Sequence, residues 1–142
     1  MEAIVNDSKA RGGKVVTGGK RHGNQGFFFE PTVITDLPDD SKLMTEEPFG
    51  PIAPIVSFKT YDEVVERANS LPFGLAAYAF TSSTQTANTI GDAIQSGMVG
   101  VNSIMISTPE TPFGGIKDSG YGHEGGLEGL EAYTNKKFIS QA

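Results

Sequence analysis

Residues 112–126 read PFGGIKDSGYGHEGG, and six of these fifteen are glycine. The second half, Gly120-Tyr121-Gly122-His123-Glu124-Gly125, fits the G-x-G-x-x-G spacing of a dinucleotide phosphate loop. Such a loop needs its first glycine straight after a strand and an acidic residue about 20 positions further on. Here a long loop, 102–122, separates the glycines from the preceding strand, and the given residues run out near the acidic position. The match is therefore read as turn chemistry. Glycine supplies positive φ and close backbone approach in a loop that wraps over a site.

The rest of the chain narrows the chemistry. Its 142 residues suit one ordinary domain, and 37% hydrophobic content with nine Phe and four Tyr suits a folded one. A formal net charge of −6 counts against a nucleic-acid binder, which needs a basic face. No cationic start precedes an apolar run, and no apolar stretch approaches membrane-spanning length, so a cytoplasmic protein without membrane contact is expected. There is no cysteine, hence no disulfide and no thiol nucleophile in these residues. His22 and His123 are far apart, and no metal site is expected.

Local signals give an alternating α/β reading. Glu2–Arg11 is helical and stopped by Gly12-Gly13; Lys14–Thr17 is a short strand. Phe27–Phe29 and Thr32–Thr35 are β-rich, and Pro31 between them suits an edge strand or a bulge. Ile52–Phe58 reads as a strand. Thr60-Tyr61-Asp62-Glu63 is a capping box opening a helix whose Val64, Val65, Ala68 and Leu71 share one face. A strand over Leu75–Thr81, a helix from Ser83 with Ala87, Ile90 and Ile94 inward and Gly97 at C′, and a buried strand Met98–Val101 follow. A helix over Glu124–Thr134 and a strand over Lys136–Ser140 close the chain. Alternation at these lengths predicts crossover connections and one layered, mostly parallel sheet.

Four strings then fall in a familiar order. Glu46-Glu47-Pro48-Phe49-Gly50-Pro51, Asn69-Ser70-Leu71-Pro72-Phe73-Gly74-Leu75, Gly97-Met98-Val99-Gly100-Val101-Asn102 and residues 112–124 resemble, in order and with similar gaps, the C-terminal part of aldehyde dehydrogenases. The resemblance runs from about residue 3 to residue 140. It implies that residues 1–134 are part of that family's catalytic domain and 135–142 an oligomerisation tail strand. In the family a cysteine thiolate attacks the aldehyde, hydride passes to NAD or NADP, and a glutamate activates the water that releases the acid. Both catalytic groups would lie upstream, so these residues look like the C-terminal third of an enzyme and are expected to be inactive alone. The alternative is a non-catalytic packing and assembly module of the same descent. The partners implied are an aldehyde, the N-terminal remainder of the enzyme, and further copies in a homo-oligomer joined through 136–140.

The resemblance also assigns residues. Glu47 would accept hydrogen bonds from the nicotinamide ribose hydroxyls, and Phe49 would pack beside that ring; the plain readings are a solvated carboxylate and a core aromatic. Phe113 would wall the substrate tunnel, or simply pack in the core. Ser107, in Ile104-Met105-Ile106-Ser107, matches a serine that helps bind the far carboxylate of succinate semialdehyde, or is a turn serine. Relatives acting on 2-oxoglutarate semialdehyde carry similar tails. Lys117 is open between a catalytic base and a loop lysine. His123 stands where the family has arginine, which puts a structural ion pair in doubt.

Overall fold

Gly12 and Gly13 end the first helix where the sequence places them. In the computed structural model, which describes residues 1–142, α1 (Glu2–Ala10) closes with Arg11 N–H donating to the Asp7 carbonyl (3.0 Å) and Gly13 N–H to that of Ser8 (2.8 Å). Gly12 takes φ +94°, which an L side chain resists. The chain forms two compact units, Met1–Phe58 and Lys59–Ala142.

In the first unit, β1 (Lys14–Thr17), β2 (Thr32–Thr35) and β3 (Ile52–Ile55) form a sheet in the order β1-β2-β3, with the short helix α2 (Lys42–Thr45) before β3. β2 is thus the middle strand and not an edge, contrary to the expectation from Pro31. The proline sits one residue ahead of the ladder, whose first donor is the Thr32 N–H to the Pro51 carbonyl (2.8 Å), so its missing N–H costs nothing. The bulge falls instead on β1, between Val15 and Thr17. Of the three phenylalanines only Phe29 pairs, in a single bridge with Arg21, while Phe27 is 99% exposed. β3 stops at Ile55 because β2 ends opposite it, at Thr35. Val5, Ile34, Leu37, Leu43 and Ile52 make the core, with Ile34 fully enclosed. Each such side chain is worth about 1.5–3 kcal/mol of burial.

A polar seam ties α1 to α2. Asp7 Oδ2 accepts the Lys42 N–H (2.9 Å) at the start of α2, and Asp7 Oδ1 accepts from Arg11 Nε (3.1 Å), whose Nη1 reaches Asp40 (2.7 Å). The Lys42 N–H, and then the Arg11 guanidinium, hold the Asp7 carboxyl below its ordinary range although partial burial opposes them. A depressed folded-state value contributes stability above the unfolded value of 3.8 and loses it as pH falls through the folded one. Asp7→Asn is therefore expected to lower the urea midpoint at neutral pH, with the deficit shrinking as the pH falls below 3.8. A deficit that is constant with pH would refute the ionic role.

In the second unit, α3 (Tyr61–Asn69) opens as the capping box predicts, with Thr60 Oγ1 accepting the Glu63 N–H (3.1 Å). The reciprocal bond reaches one residue further back, from the Lys59 N–H to Glu63 Oε2 (2.8 Å). No residue of α3 is buried; Val64 and Val65 are half-buried and Ala68 exposed, so the expected inward face is not enclosed. β4 (Phe73–Gly74) and β5 (Ala76–Ala79) precede α4 (Thr84–Ala93), which is capped by Ser83 and has Ile90 buried. β6 (Met98–Val101), β7 (Ile116–Lys117) and a 3-10 helix (Glu128–Tyr133) complete the unit.

One mostly parallel sheet is replaced by three small ones, with β2/β3 and β5/β6 parallel and β1/β2 and β4/β7 antiparallel. Parallel pairs occur where a helix intervenes, α2 in one case and α4 in the other, as crossovers require. Two further expectations are corrected. Gly97 is no C′ residue, because α4 ends at Ile94 with ψ 123°. The last helix is 3-10 and starts late, since Gly125 and Gly126 take φ +68° and +57°. Lys136–Ser140 forms no strand within this chain, where no neighbouring strand lies beside it to supply a ladder.

Candidate functional site

Residues 46–51 link α2 to β3 through two successive three-residue turns, closed by the Gly50 N–H to the Pro48 carbonyl (2.7 Å) and the Ile52 N–H to the Gly50 carbonyl (2.8 Å). Glu46 is drawn back to the helix: its N–H donates to the Lys42 carbonyl (2.8 Å) and its carboxylate lies 3.9 Å from Lys42 Nζ. Phe49 is the middle residue of the first turn and Glu47 stands just ahead of it. Glu47 is exposed and Phe49 is 87% exposed, so Phe49 is not a core aromatic of this chain. A carboxylate held on a short, locked loop offers two acceptor oxygens, the chemistry a vicinal diol requires. Such an acceptor pair is chemically compatible with the hydroxyls of a coenzyme ribose.

In the second unit the loop after β6 opens on Asn102, at φ +54°. Its Oδ1 accepts the Thr81 N–H (2.8 Å) and its Nδ2 donates to the Thr81 carbonyl (3.0 Å), extending the β5/β6 ladder by a side chain. Asn69 does the same between helices, donating to the Ala93 carbonyl (2.8 Å) and accepting the Gln95 N–H (2.7 Å). Ser107 is exposed within 102–111. Phe113 is half-buried and exchanges both backbone bonds with Glu124 (2.7 and 2.8 Å), closing the glycine-rich loop. A cleft of about 670 Å³ is lined by Phe113, Gly114, Tyr121, His123, Leu130 and Tyr133, among others, with Ser107 outside its lining. Phe113 and His123 are thus brought together, and Ser107 is not joined to them.

The glycines divide by task. Gly120, Gly122 and Gly125 take φ +126°, +80° and +68° and lead to a 3-10 helix, so G-x-G-x-x-G here is turn geometry. Gly74, Gly97 and Gly114 serve close packing: a Cβ on Gly74 would strike the Gln95 carbonyl and one on Gly97 the Gly114 carbonyl, while one on Gly114 would lie 2.6 Å from both the Gly122 carbonyl and the His123 ring. Lys117, at φ +56°, is half-buried and donates from Nζ to the carbonyls of Asn69 and Leu71 (3.1 Å each). It is neither a free loop lysine nor placed as a base. The bracketing roles of Asn69, Asn102 and Lys117 were not visible in the sequence; for the two asparagines, their places at the start of the second matched string and the end of the third were the available signal. No group of three or more His, Cys, Asp or Glu could hold a metal ion, and no helix is long and apolar enough to cross a membrane.

Comparison with known proteins agrees with the motifs. The model of the aldehyde dehydrogenase family matches residues 1–139, and the chain belongs to that family. It is similar to the mitochondrial succinate-semialdehyde dehydrogenase of Arabidopsis thaliana, at 44% identity over 139 residues, covering 98% of this chain and 26% of the relative. It is also similar to the succinate-semialdehyde dehydrogenase [NADP(+)] of Escherichia coli, at 42% identity with 98% and 29% covered. The crystal structure of succinate-semialdehyde dehydrogenase from Burkholderia pseudomallei superposes with a TM-score of 0.87 at 42% identity, over 93% of this chain and 27% of that one. The chain therefore spans about a quarter of the length of the proteins it matches.

Proposed function

We propose that this chain contributes the coenzyme-ribose carboxylate and part of the substrate wall to an NAD(P)-dependent aldehyde dehydrogenase that oxidises a carboxylated semialdehyde, such as succinate semialdehyde, to the acid. The observation that carries the reading is 42–44% identity to succinate-semialdehyde dehydrogenases across 98% of the chain. NAD or NADP, when bound, supplies the hydride acceptor. Glu47 accepts the ribose hydroxyls and fixes the ring, and Phe49 covers it. Phe113 walls the aldehyde's path and keeps water from it, while the Ser107 hydroxyl donates to the substrate's far carboxylate.

The nucleophilic cysteine and the general-base glutamate come from polypeptide outside these residues, the N-terminal remainder of the enzyme, so the 142 residues alone turn over no aldehyde. Residues 1–134 act as part of the catalytic domain. Within 135–142, Lys136–Ser140 pairs with a neighbouring subunit's sheet in a cytoplasmic homo-oligomer. Phe138 and Ile139, 90% and 73% exposed, are the apolar surface such pairing would cover.

The test uses the enzyme that carries this segment. Its kcat/KM for succinate semialdehyde is expected to exceed that for butanal, with Ser107→Ala cutting the preference roughly tenfold, the worth of one hydrogen bond to a charged group. Equal rates on the two aldehydes would overturn the substrate assignment.

A further inference from the structure

We propose that Lys117 is a positioning residue that pins the Phe113 loop to the carboxyl end of α3 and thereby sets the width of the aldehyde's path. This rests on the reading of Phe113 as the wall of that path. Lys117 pairs with Phe73 in the β4/β7 ladder, and its backbone takes a left-handed conformation that non-glycine residues rarely adopt. The side chain is thereby delivered to the carbonyl of Asn69, the last residue of α3, and to that of Leu71, two residues beyond it, both 3.1 Å from Nζ. A helix's last carbonyls carry its negative end, and a cation satisfies them twice, by hydrogen bonds and by charge.

The neighbouring bonds make this one clamp. Asp118 N–H donates to the Pro72 carbonyl (2.8 Å), and the Gly74 N–H donates to Ser119 Oγ (2.9 Å). On the other side Phe113 is bonded to Glu124, and Gly114 is packed on the backbone of Gly97 with no side chain to hold it. Between Phe113 and Ser119, Lys117 is the side chain that anchors the loop to α3 by hydrogen bonds. Its two Nζ donations are committed to backbone carbonyls, those of Asn69 and Leu71.

Lys117→Met and Lys117→Arg in the enzyme carrying this segment test the assignment. Lys117→Met is expected to raise KM for the aldehyde roughly tenfold, leaving KM for the coenzyme within about twofold. Lys117→Arg, which keeps charge and donors, is expected to recover most of that loss, and the pH profile of kcat should be unchanged in both. Independently of turnover, amide exchange over residues 113–119 should quicken in Lys117→Met. If Lys117→Met does not accumulate, Lys117→Gln is read by the same measurements. Unaltered exchange together with unaltered KM would overturn the proposal, as would loss of a limb of the pH profile, which marks a base. An unmutated enzyme that oxidises no aldehyde refutes the proposed function, while the exchange result still decides Lys117.

Discussion

Glu47→Ala in the enzyme that carries this segment is expected to slow hydride transfer about a hundredfold while leaving the folded protein intact. The side chain is exposed and outside the core, so truncation stays within about 0.5 kcal/mol in stability. Its proposed work is geometric. Two hydroxyls held by one carboxylate fix a ring whose displacement by about 1 Å costs on the order of 10² in rate. Single-turnover formation of reduced coenzyme measures this directly, with coenzyme affinity measured separately. Glu46→Ala is the matched control. That carboxylate turns back toward Lys42, so the rate should stay near that of the unmutated enzyme. Equal rates for Glu47→Ala and the control would remove the assignment.

Gly97→Ala carries the largest expected loss of stability. Its Cβ would meet the Gly114 carbonyl oxygen and carbon and the Cα of Gly115, all backbone atoms, so no flexible side chain can yield. Overpacking of this kind costs about 1–3 kcal/mol, and more where a backbone must move. The segment pushed aside is the one that carries Phe113, so aldehyde KM should rise with the fall in Tm. Gly91→Ala is the internal comparison. It lies in α4 with nothing within 4 Å of the added carbon, and should raise stability by about 0.5–1 kcal/mol. A Gly97→Ala protein as stable as Gly91→Ala would show that the crossing is looser than described.

Local signals read correctly where the structure is local. Gly12-Gly13 stops α1, the Thr60–Glu63 box opens α3, and Ser83 caps α4. Reading failed where pairing is set by distant residues. Pro31 suggested an edge, yet the strand after it takes neighbours on both sides because its first donor is Thr32. Gly97 looked like a helix terminator, whereas its lack of a side chain answers to Gly114 in the later loop. Lys117 could not be placed by sequence because its partners, Asn69 and Leu71, lie 48 and 46 positions away. The first and last family strings pointed to Glu47, Phe49 and Phe113 as site residues, and the separate run Ile104–Ser107 pointed to Ser107. That Phe49 stands clear of the core and that Phe113 pairs with Glu124 became evident only from the fold.

The paired turns at Pro48-Phe49-Gly50 and Gly50-Pro51-Ile52 bear on the thermodynamics of ligand capture. Pro48 and Pro51 restrict φ on both sides of Phe49-Gly50, and the Pro51 carbonyl is itself spoken for by Thr32. The conformational freedom of the backbone just after Glu47 is thus surrendered as the chain folds. If Glu47 anchors the coenzyme as proposed, the backbone that follows it adds little ordering cost on binding, and the cost that remains is that of the Glu47 side chain itself.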